Sequence, residues 1–455
     1  MDTIIYGTGS FGEKIYHKFC KTRNIVGFCD SDSKKWNHKF LELPIYAPEE
    51  LTEFQNTDIL VASTYFEEII DKLLELKINR KHILYVNPEA GILERVEYGI
   101  GKKQDRHSIS RILFVQAVPG IRIDKIAYVL KKKGVHCDLA YLFSVNNVMG
   151  GLQKKAYDNI IPINDFSEFV DYVNKETYDI VFSSNEPDYL TSLLINTNKK
   201  IVYDVADVSS MYRNIHASDM VHEYIANTQT NASIYVTDGI RKIVEERFNI
   251  RNKKSILLNN YVLRSQKPEK YLKKLHETDK EIHCVYEGGL SDNQQYLRYC
   301  EKMFLQIAEQ KVHVHFYGKC PENLNYCHQL ELKSEYLHYE GCIPYEQLQT
   351  ELTKYDIGLT FLNITEKNEE FLQTTFSNKI FEYLFAELPV AVCNIEITKE
   401  FVKQYQVGKY LDFSGNIKEQ LEEIYQMKVD RNFLETNGLT MEDQAERILE
   451  FLEEV

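Results

Sequence analysis

The 455-residue sequence has no long hydrophobic run, and nothing in it approaches the roughly 18 apolar residues of a membrane-spanning helix. It has one tryptophan, and its 20 glycines and 10 prolines are too few for a collagen-like or low-complexity chain. Its nine cysteines are scattered without a Cys-x-x-Cys pair. Cys320 and Cys327 are the nearest two, and nothing around them completes a zinc tetrad, so reduced thiols in a cytoplasm are expected. Positive charge is also short: Lys+Arg 54 against Asp+Glu 68 gives a formal charge of -14, and such a surface repels phosphate backbones. A general nucleic-acid binder is therefore not expected. Met1-Asp2-Thr3-Ile4-Ile5 lacks the basic and apolar regions of a secretory signal.

What is present is ordinary globular composition, 44% hydrophobic and 27% charged, in a length that suggests roughly three domains. Apolar β-branched runs alternate with amphipathic helical stretches, the pattern of βαβ units and parallel sheets. The pattern restarts twice, after a polar stretch at 99–110 and again after a Lys- and Glu-rich stretch at 264–280. The expected fold class is α/β with three Rossmann-like domains: 1–98, a linker 99–110, then 111–265 and 266–455, the last two paired around one cleft. Expected strands include Ile4–Tyr6, Asn24–Phe28, Asp58–Ala62, Ile112–Val115, Ile201–Tyr203, Ile282–Tyr286 and Val312–Tyr317. Ala445, Ile448, Leu449 and Leu452 mark a final amphipathic helix.

Gly7-Thr8-Gly9-Ser10-Phe11-Gly12 is a GxGxxG between an expected strand and helix. Such glycines permit a tight turn, close approach to a pyrophosphate and helix–strand packing, and the helix start favours anions. Asp30 ends the next strand, where a ribose diol would be held. A nucleotide at 1–98 is thus expected, with a purely structural glycine turn as the alternative. Asp30-Ser31-Asp32 also spells DxD, a weaker pointer to a divalent cation. This stretch resembles the small nucleotide-binding domain that heads many bacterial surface-polysaccharide enzymes. The resemblance rests on IIYGTGSFGEKI, IVGFCDSDSKKW and LPIYAPEEL. Tyr128 and Lys132 form a Tyr-x-x-x-Lys pair that reads as a solvated face, and Lys131-Lys132-Lys133 as a helix-end charge run. Anionic lipid is the other reading of that run.

Residues 111–455 resemble glycosyltransferases of the two-Rossmann GT-B type, in particular family 4. The segments are IVYDVADV, ASIYVTDGIRKIVEERF, ILLNNYV, VYEGGLS, HFYGK, YEGCIPYEQL and TTFSNKIFEYLFAELPVAV. The last is the most specific. On residue chemistry alone, Asn378, Lys379 and Glu382 share a helix face, with Ser377 or Thr375 as the cap. There a diphosphate would meet Lys379, and Glu382 would accept from a ribose diol. Gly288 and Gly289 end the first strand of the last unit, Gly318 the next, and Gly341-Cys342-Ile343 follows the third.

The resemblance implies transfer of a sugar from a nucleotide diphospho-sugar of UDP or GDP type, with retention and without a metal. The implied acceptor is a surface glycan, a lipid-linked sugar or a protein, met in the cytoplasm or at the inner membrane face. It implies Lys379, Glu382, Asp207 and Asp204 as catalytic residues. Donor contacts would come from Gly288, Gly289, Arg298, Gly318, Lys319, Cys342, Ile343, Thr375, Ser377 and Asn378, and acceptor contacts from Gly120, Arg122 and Glu186. Three features depart from the family pattern. Ser291–Gln295 lacks the cations expected after Gly-Gly, Thr374 replaces the first Glu of the E-x7-E pair, and the first half lacks its His. Arg298 or Lys319 would have to substitute. The other readings are a nucleotide-sugar-binding scaffold without turnover, and an NAD(P)-linked sugar-modifying enzyme led by residues 1–98.

Overall fold

The computed structural model describes residues 2–54, 56–63, 66–86, 93–95, 109–142, 151–185, 187–213, 215–250 and 253–455. The chain divides into two compact units, Met1–His107 and Ser108–Val455. Most of the expected 99–110 linker lies outside the described residues.

In the first unit the central strands Asp2–Tyr6, Asn24–Cys29, Asp58–Val61 and Ile83–Val86 pair in parallel, with Asp2–Tyr6 in the middle. Short antiparallel partners, Lys39–Phe40 and Leu93–Arg95, close the two edges. The apolar runs are buried on both faces: Ile4, Tyr6 and Val61 pack on one side, and Ile5, Phe28 and Leu60 on the other. Continuous burial explains why these strands read as unbroken hydrophobic runs.

The second unit carries two sheets, and among the described residues every strand pair in both is parallel. The first runs in the order Asn159–Pro162, His136–Tyr141, Arg111–Gln116, Ile180–Ser184, Lys200–Val205, Ala232–Tyr235, Lys254–Leu257. The second runs Leu337–Tyr339, His313–Tyr317, His283–Glu287, Ile357–Thr360, Val390–Val392, Gly408–Tyr410. The expected strands all form, within a residue or two at their ends.

His136–Tyr141 was not expected as a strand, because HCDLAY breaks its apolar run with Asp138. That aspartate is fully buried and collects bonds from Arg111, Tyr178 and Asn159. Its carboxyl is desolvated, yet these donors hold it below the usual carboxylate range.

The final helix, Met441–Glu453, differs from the expected 266–455 grouping. Met441, Ala445, Ile448, Phe451 and Leu452 join the core of the 111–265 lobe, beside Ile126 and Leu130. The chain therefore passes between the lobes twice. The two passages lie side by side: Met441 N donates to Val262 O at 2.8 Å, and Val262 bridges Thr440.

His315 is buried and His313 half-buried, and both belong to an imidazole ladder that continues into the buried His283 and the half-buried His338. His283 Nδ1 lies 2.9 Å from His315 Nε2, and His313 Nδ1 lies 2.8 Å from His338 Nε2. Asp279, Glu281 and Glu340 take the outward nitrogens.

Candidate functional site

In the first unit Gly7 has φ +123°, and a Cβ on Gly12 would stand 2.0 Å from Gly7 O, so both positions need glycine. Gly9 precedes the helix Ser10–Phe19; Gly9 and Ser10 are exposed, and Phe11 packs against the core around Phe28. The turn has the expected shape, but Asp30 is already occupied. Its carboxylate accepts from Thr8 N and Oγ1, from Asp32 N at 2.9 Å and from Lys35 Nζ at 2.9 Å. Partial burial would raise this carboxyl, and those bonds bring it below its ordinary range. The residue expected to hold a ribose is thus held by its own protein. Asp32, the second carboxylate of DxD, accepts from Lys34 N as a turn cap.

In the second unit the C-terminal ends of the second sheet's strands converge on a different arrangement. Gly288 has φ +122° and Gly318 φ +136°; a Cβ on Gly318 would stand 2.0 Å from Gly288 O. A Cβ on Gly288 would meet Lys379 Cε at 2.9 Å and Arg298 Nη1 at 3.8 Å. The turn, the lysine and the arginine thus share one small space. Lys379 opens the helix Lys379–Phe385, anchored from behind by the buried Ile380, Phe381, Leu384 and Phe385. Its ammonium lies 5.4 Å from the Tyr286 ring and makes no ion pair or hydrogen bond among the described residues. Burial, and then Arg298 beside it, bring that ammonium down to about 8, while Glu287 and Glu382 pull the other way. Ser377 and Thr375 do not cap this helix. Its start has no side-chain cap, Thr375 Oγ1 donates back to Leu372 O, and Asn378 is exposed.

Glu382 lies one turn on, and accepts from Tyr345 Oη at 3.2 Å. Glu287, at the end of its strand, is buried beside it. Burial first, and the Glu382 carboxyl second, push Glu287 well above the usual carboxylate range. The Glu287 Oε1 atom has no hydrogen-bond partner among the described residues. Sequence reasoning missed three groups here: Glu287, Tyr345 and Lys125. Lys125 comes from the opposite lobe, on the helix Ile121–Lys132; its Nζ donates to Tyr261 O at 3.1 Å, and Glu382 is the negative charge it feels most. Burial lowers it to about 8. A lysine among Ile123, Ile126 and Ala127, on the buried stretch of its helix, was the available signal.

The remaining expected residues divide. Lys319 and Cys342 are exposed at the rim and Ile343 is half-buried. Gly318 N donates to Gly341 O at 2.9 Å, joining the two loops, and Gly289 has open space before it. Asp204 and Arg122 were expected in separate roles, but they bind each other. Arg122 Nε and Nη2 reach the two Asp204 oxygens at 2.8 and 2.7 Å, and Nη1 reaches Asn260 Oδ1 at 3.0 Å. That buried fork commits the Asp204 carboxylate to structure rather than to accepting a proton. Asp207 O accepts from Asn185. Gly120 starts its helix, and its N–H donates to Gln116 Oε1 at 2.8 Å. Glu186 lies outside the described residues.

Thr374, in place of the family's Glu, is buried against the other lobe. Its carbonyl accepts from Thr237, and a Cβ on Gly239 would meet its side chain at 2.9 Å. Tyr128 and Lys132 form a cation–π pair at 4.6 Å, which explains their spacing without redox chemistry.

Residues 1–84 match the family model described as C2185-like, N-terminal, and residues 297–437 match the Glucosyltransferase 3-like, C-terminal domain. No curated protein matches. Among solved structures, a glycosyltransferase from Rickettsia africae ESF-5 is 14% identical with a TM-score of 0.56, the match covering 76% of this chain and 98% of that one. Alr3699/HepE from Anabaena, solved in complex with UDP, is 11% identical with a TM-score of 0.51, over 75% of this chain and 94% of that one. AviGT4, a glycosyltransferase involved in avilamycin A biosynthesis, is 10% identical with a TM-score of 0.51, over 75% and 97%. The second unit has the GT-B fold of these glycosyltransferases. Family 4 itself is not singled out by these matches.

Proposed function

We propose that the chain transfers a sugar from a UDP-sugar to a glycan acceptor. The observation that carries this reading is the meeting of Gly288, Lys379 and Arg298 in front of a strand end, with Glu382 one helical turn away. Two cations without carboxylate partners among the described residues, beside a backbone that favours glycine, form a seat for a diphosphate. The UDP-bound relative of the same fold supports uridine as the nucleoside.

In this reading Lys379 and Arg298 neutralise the charge that builds on the departing diphosphate, and the work is electrostatic. Arg298 takes the place of the cations absent from Ser291–Gln295. Glu382, with the buried Glu287 beside it, accepts from the ribose hydroxyls. Side-chain cations supply the positive charge, so the proposal needs no metal. With Asp204 bound to Arg122, the proposal includes no general base, which favours retention of configuration. Glycan assembly at the cytoplasmic face is the proposed setting.

The test is UDP release from UDP-sugars with and without an acceptor. Glu382→Ala and Lys379→Ala each lower it at least about tenfold, the scale of one lost charge-assisted bond. Unchanged turnover in both variants removes the site assignment. UDP binding without any turnover supports the scaffold reading instead.

A further inference from the structure

The imidazole ladder lies at the other end of the second sheet from the glycine turn. His283 and His313 open the strands that finish at Glu287 and Tyr317, about 13 Å further on. Strand register brings the rings together. His283 pairs with His313 and His315 with His338, and His313 and His315 are two residues apart, so all four share one face. The His283 and His313 rings stack with centroids 4.5 Å apart.

The protons along one arm of the ladder can be counted. His315 Nδ1 lies 2.6 Å from Glu340 Oε1, and His315 Nε2 lies 2.9 Å from His283 Nδ1. His283 Nε2 in turn lies 3.0 Å from Asp279 Oδ2. These three contacts need three protons, and two neutral imidazoles carry two. Burial holds both rings toward the neutral form, bringing His315 down to about 4. Glu340, which His315 keeps below the usual carboxylate range, accepts from Nδ1 of that ring. His315 Nε2 is then bare and accepts from His283 Nδ1. The His283 Nε2 lone pair is left facing the Asp279 carboxylate, and two acceptors aimed at one point repel unless a cation shares it.

More ligands stand at the same point. One ligand atom from each of Asp279, His283 and His313 lies within 4.8 Å of the other two. Glu281 Oε2 lies 2.6 Å from His313 Nε2 and offers a fourth. His313 Nδ1 is 2.8 Å from His338 Nε2, and donating there leaves its own Nε2 bare. Both histidines then have the disposition of metal ligands, with one nitrogen open and the other ring N–H held by a partner. The Asp279 and Glu281 side chains are 41% and 44% exposed, so the point is open to solvent on the carboxylate side and both carboxylates have room to move in. Metal bonds of about 2.0–2.2 Å draw such a set to about 3.3 Å between ligand atoms. Two imidazoles with carboxylates suit a borderline divalent metal such as zinc, whereas magnesium and calcium prefer oxygen alone.

We propose that Asp279, His283, His313 and Glu281 form a zinc-class metal site, which fastens the chain at 279–281 to the first residues of two neighbouring strands. Its role is structural, and it stands whether or not the chain transfers sugar.

The test uses the full chain without an affinity tag, stripped with a chelator and dialysed. Cobalt(II) is the spectroscopic probe, zinc(II) its competitor and magnesium the oxygen-preferring control. One cobalt binds per chain with the visible bands of a four-coordinate site, and zinc displaces it. Zinc raises the melting temperature and magnesium does not. Asp279→Asn and His313→Gln each weaken cobalt binding at least about tenfold, and Glu281→Gln weakens it severalfold. Without metal at neutral pH, Asp279→Asn melts at or above wild type, because its amide N–H donates to the bare His283 Nε2; this also shows that the variant folds. No cobalt binding at micromolar concentration, binding unchanged in both Asp279→Asn and His313→Gln, or a preference for magnesium each overturns the proposal. In the first case, a metal-free Asp279→Asn protein that melts below wild type identifies the missing cation as a third proton, with His283 an imidazolium paired to Asp279.

Discussion

The molecule contains the same glycine geometry twice. Gly7 with Gly12, and Gly288 with Gly318, each bring a positive-φ turn within 2.0 Å of where a second Cβ would be. The first turn faces Asp30, whose oxygens are filled by Thr8, Asp32 and Lys35. The second faces Lys379 and Arg298, which have no carboxylate within ion-pair distance among the described residues, and a buried Glu287 whose Oε1 has no partner among them. A glycine turn states only that two stretches of backbone come close. Whether a ligand is wanted is stated by the polar groups left without partners around it.

That contrast can be broken by experiment. The largest effect is expected from Lys379→Met, which lowers UDP release roughly 100- to 1000-fold, as loss of one preorganised charge-stabilising group does elsewhere. Lys35→Met, the matching change in the first unit, leaves turnover within about twofold, since no step is assigned to it. Steady-state kinetics of the two variants decide the matter.

Next is Arg122→Ala. It strands the 1%-exposed Asp204 carboxylate and lowers stability by about 3–5 kcal/mol, measured by urea unfolding of the second unit's transition. A loss below about 1 kcal/mol would mean that Asp204 is free for another role.

A smaller effect is expected from pH. Lys379 has its ammonium brought down to about 8, so the charged form dominates below that value and the neutral form above it. UDP affinity therefore falls as pH rises through about 8, and Lys379→Met flattens the profile. Calorimetric titration across that range checks it. In the first unit no comparable change is expected, because Asp30 stays ionised throughout.

The smallest expected effect is none: titration of intact protein with NAD⁺ gives no heat, because Asp30 already takes Thr8, Asp32 and Lys35 as partners. Measurable binding that Gly9→Val abolishes would reverse the comparison and restore the oxidoreductase reading.

Much of the architecture was legible because buried parallel strands are written as apolar runs. Ile4–Tyr6 and Ile112–Val115 needed no more than that. His136–Tyr141 was hidden because a fully satisfied buried aspartate looks like a loop residue until its partners, 21 to 40 residues away, are in place. The donor segment was legible from Lys379 and Glu382, which sit on one helix at a spacing that fixes their shared face. Glu287, Lys125 and Tyr345 were not. They come near Glu382, or feel its charge, across sequence gaps that no helical or strand period spans. Asp204 and Arg122 were misassigned for the same reason, since 82 residues separate the two halves of the fork.

The double passage of the chain between the lobes of the second unit has a mechanical consequence. One flexible connection would let the halves swivel freely. Here the outgoing and returning segments are laced together, at Val262 with Met441 and at Arg264 with Glu442. Such a pair behaves as a flat strap: it bends across its thin direction and resists torsion. The lobes can then part and meet like jaws on a single pivot, and each closing brings Lys125 back opposite the same glutamate.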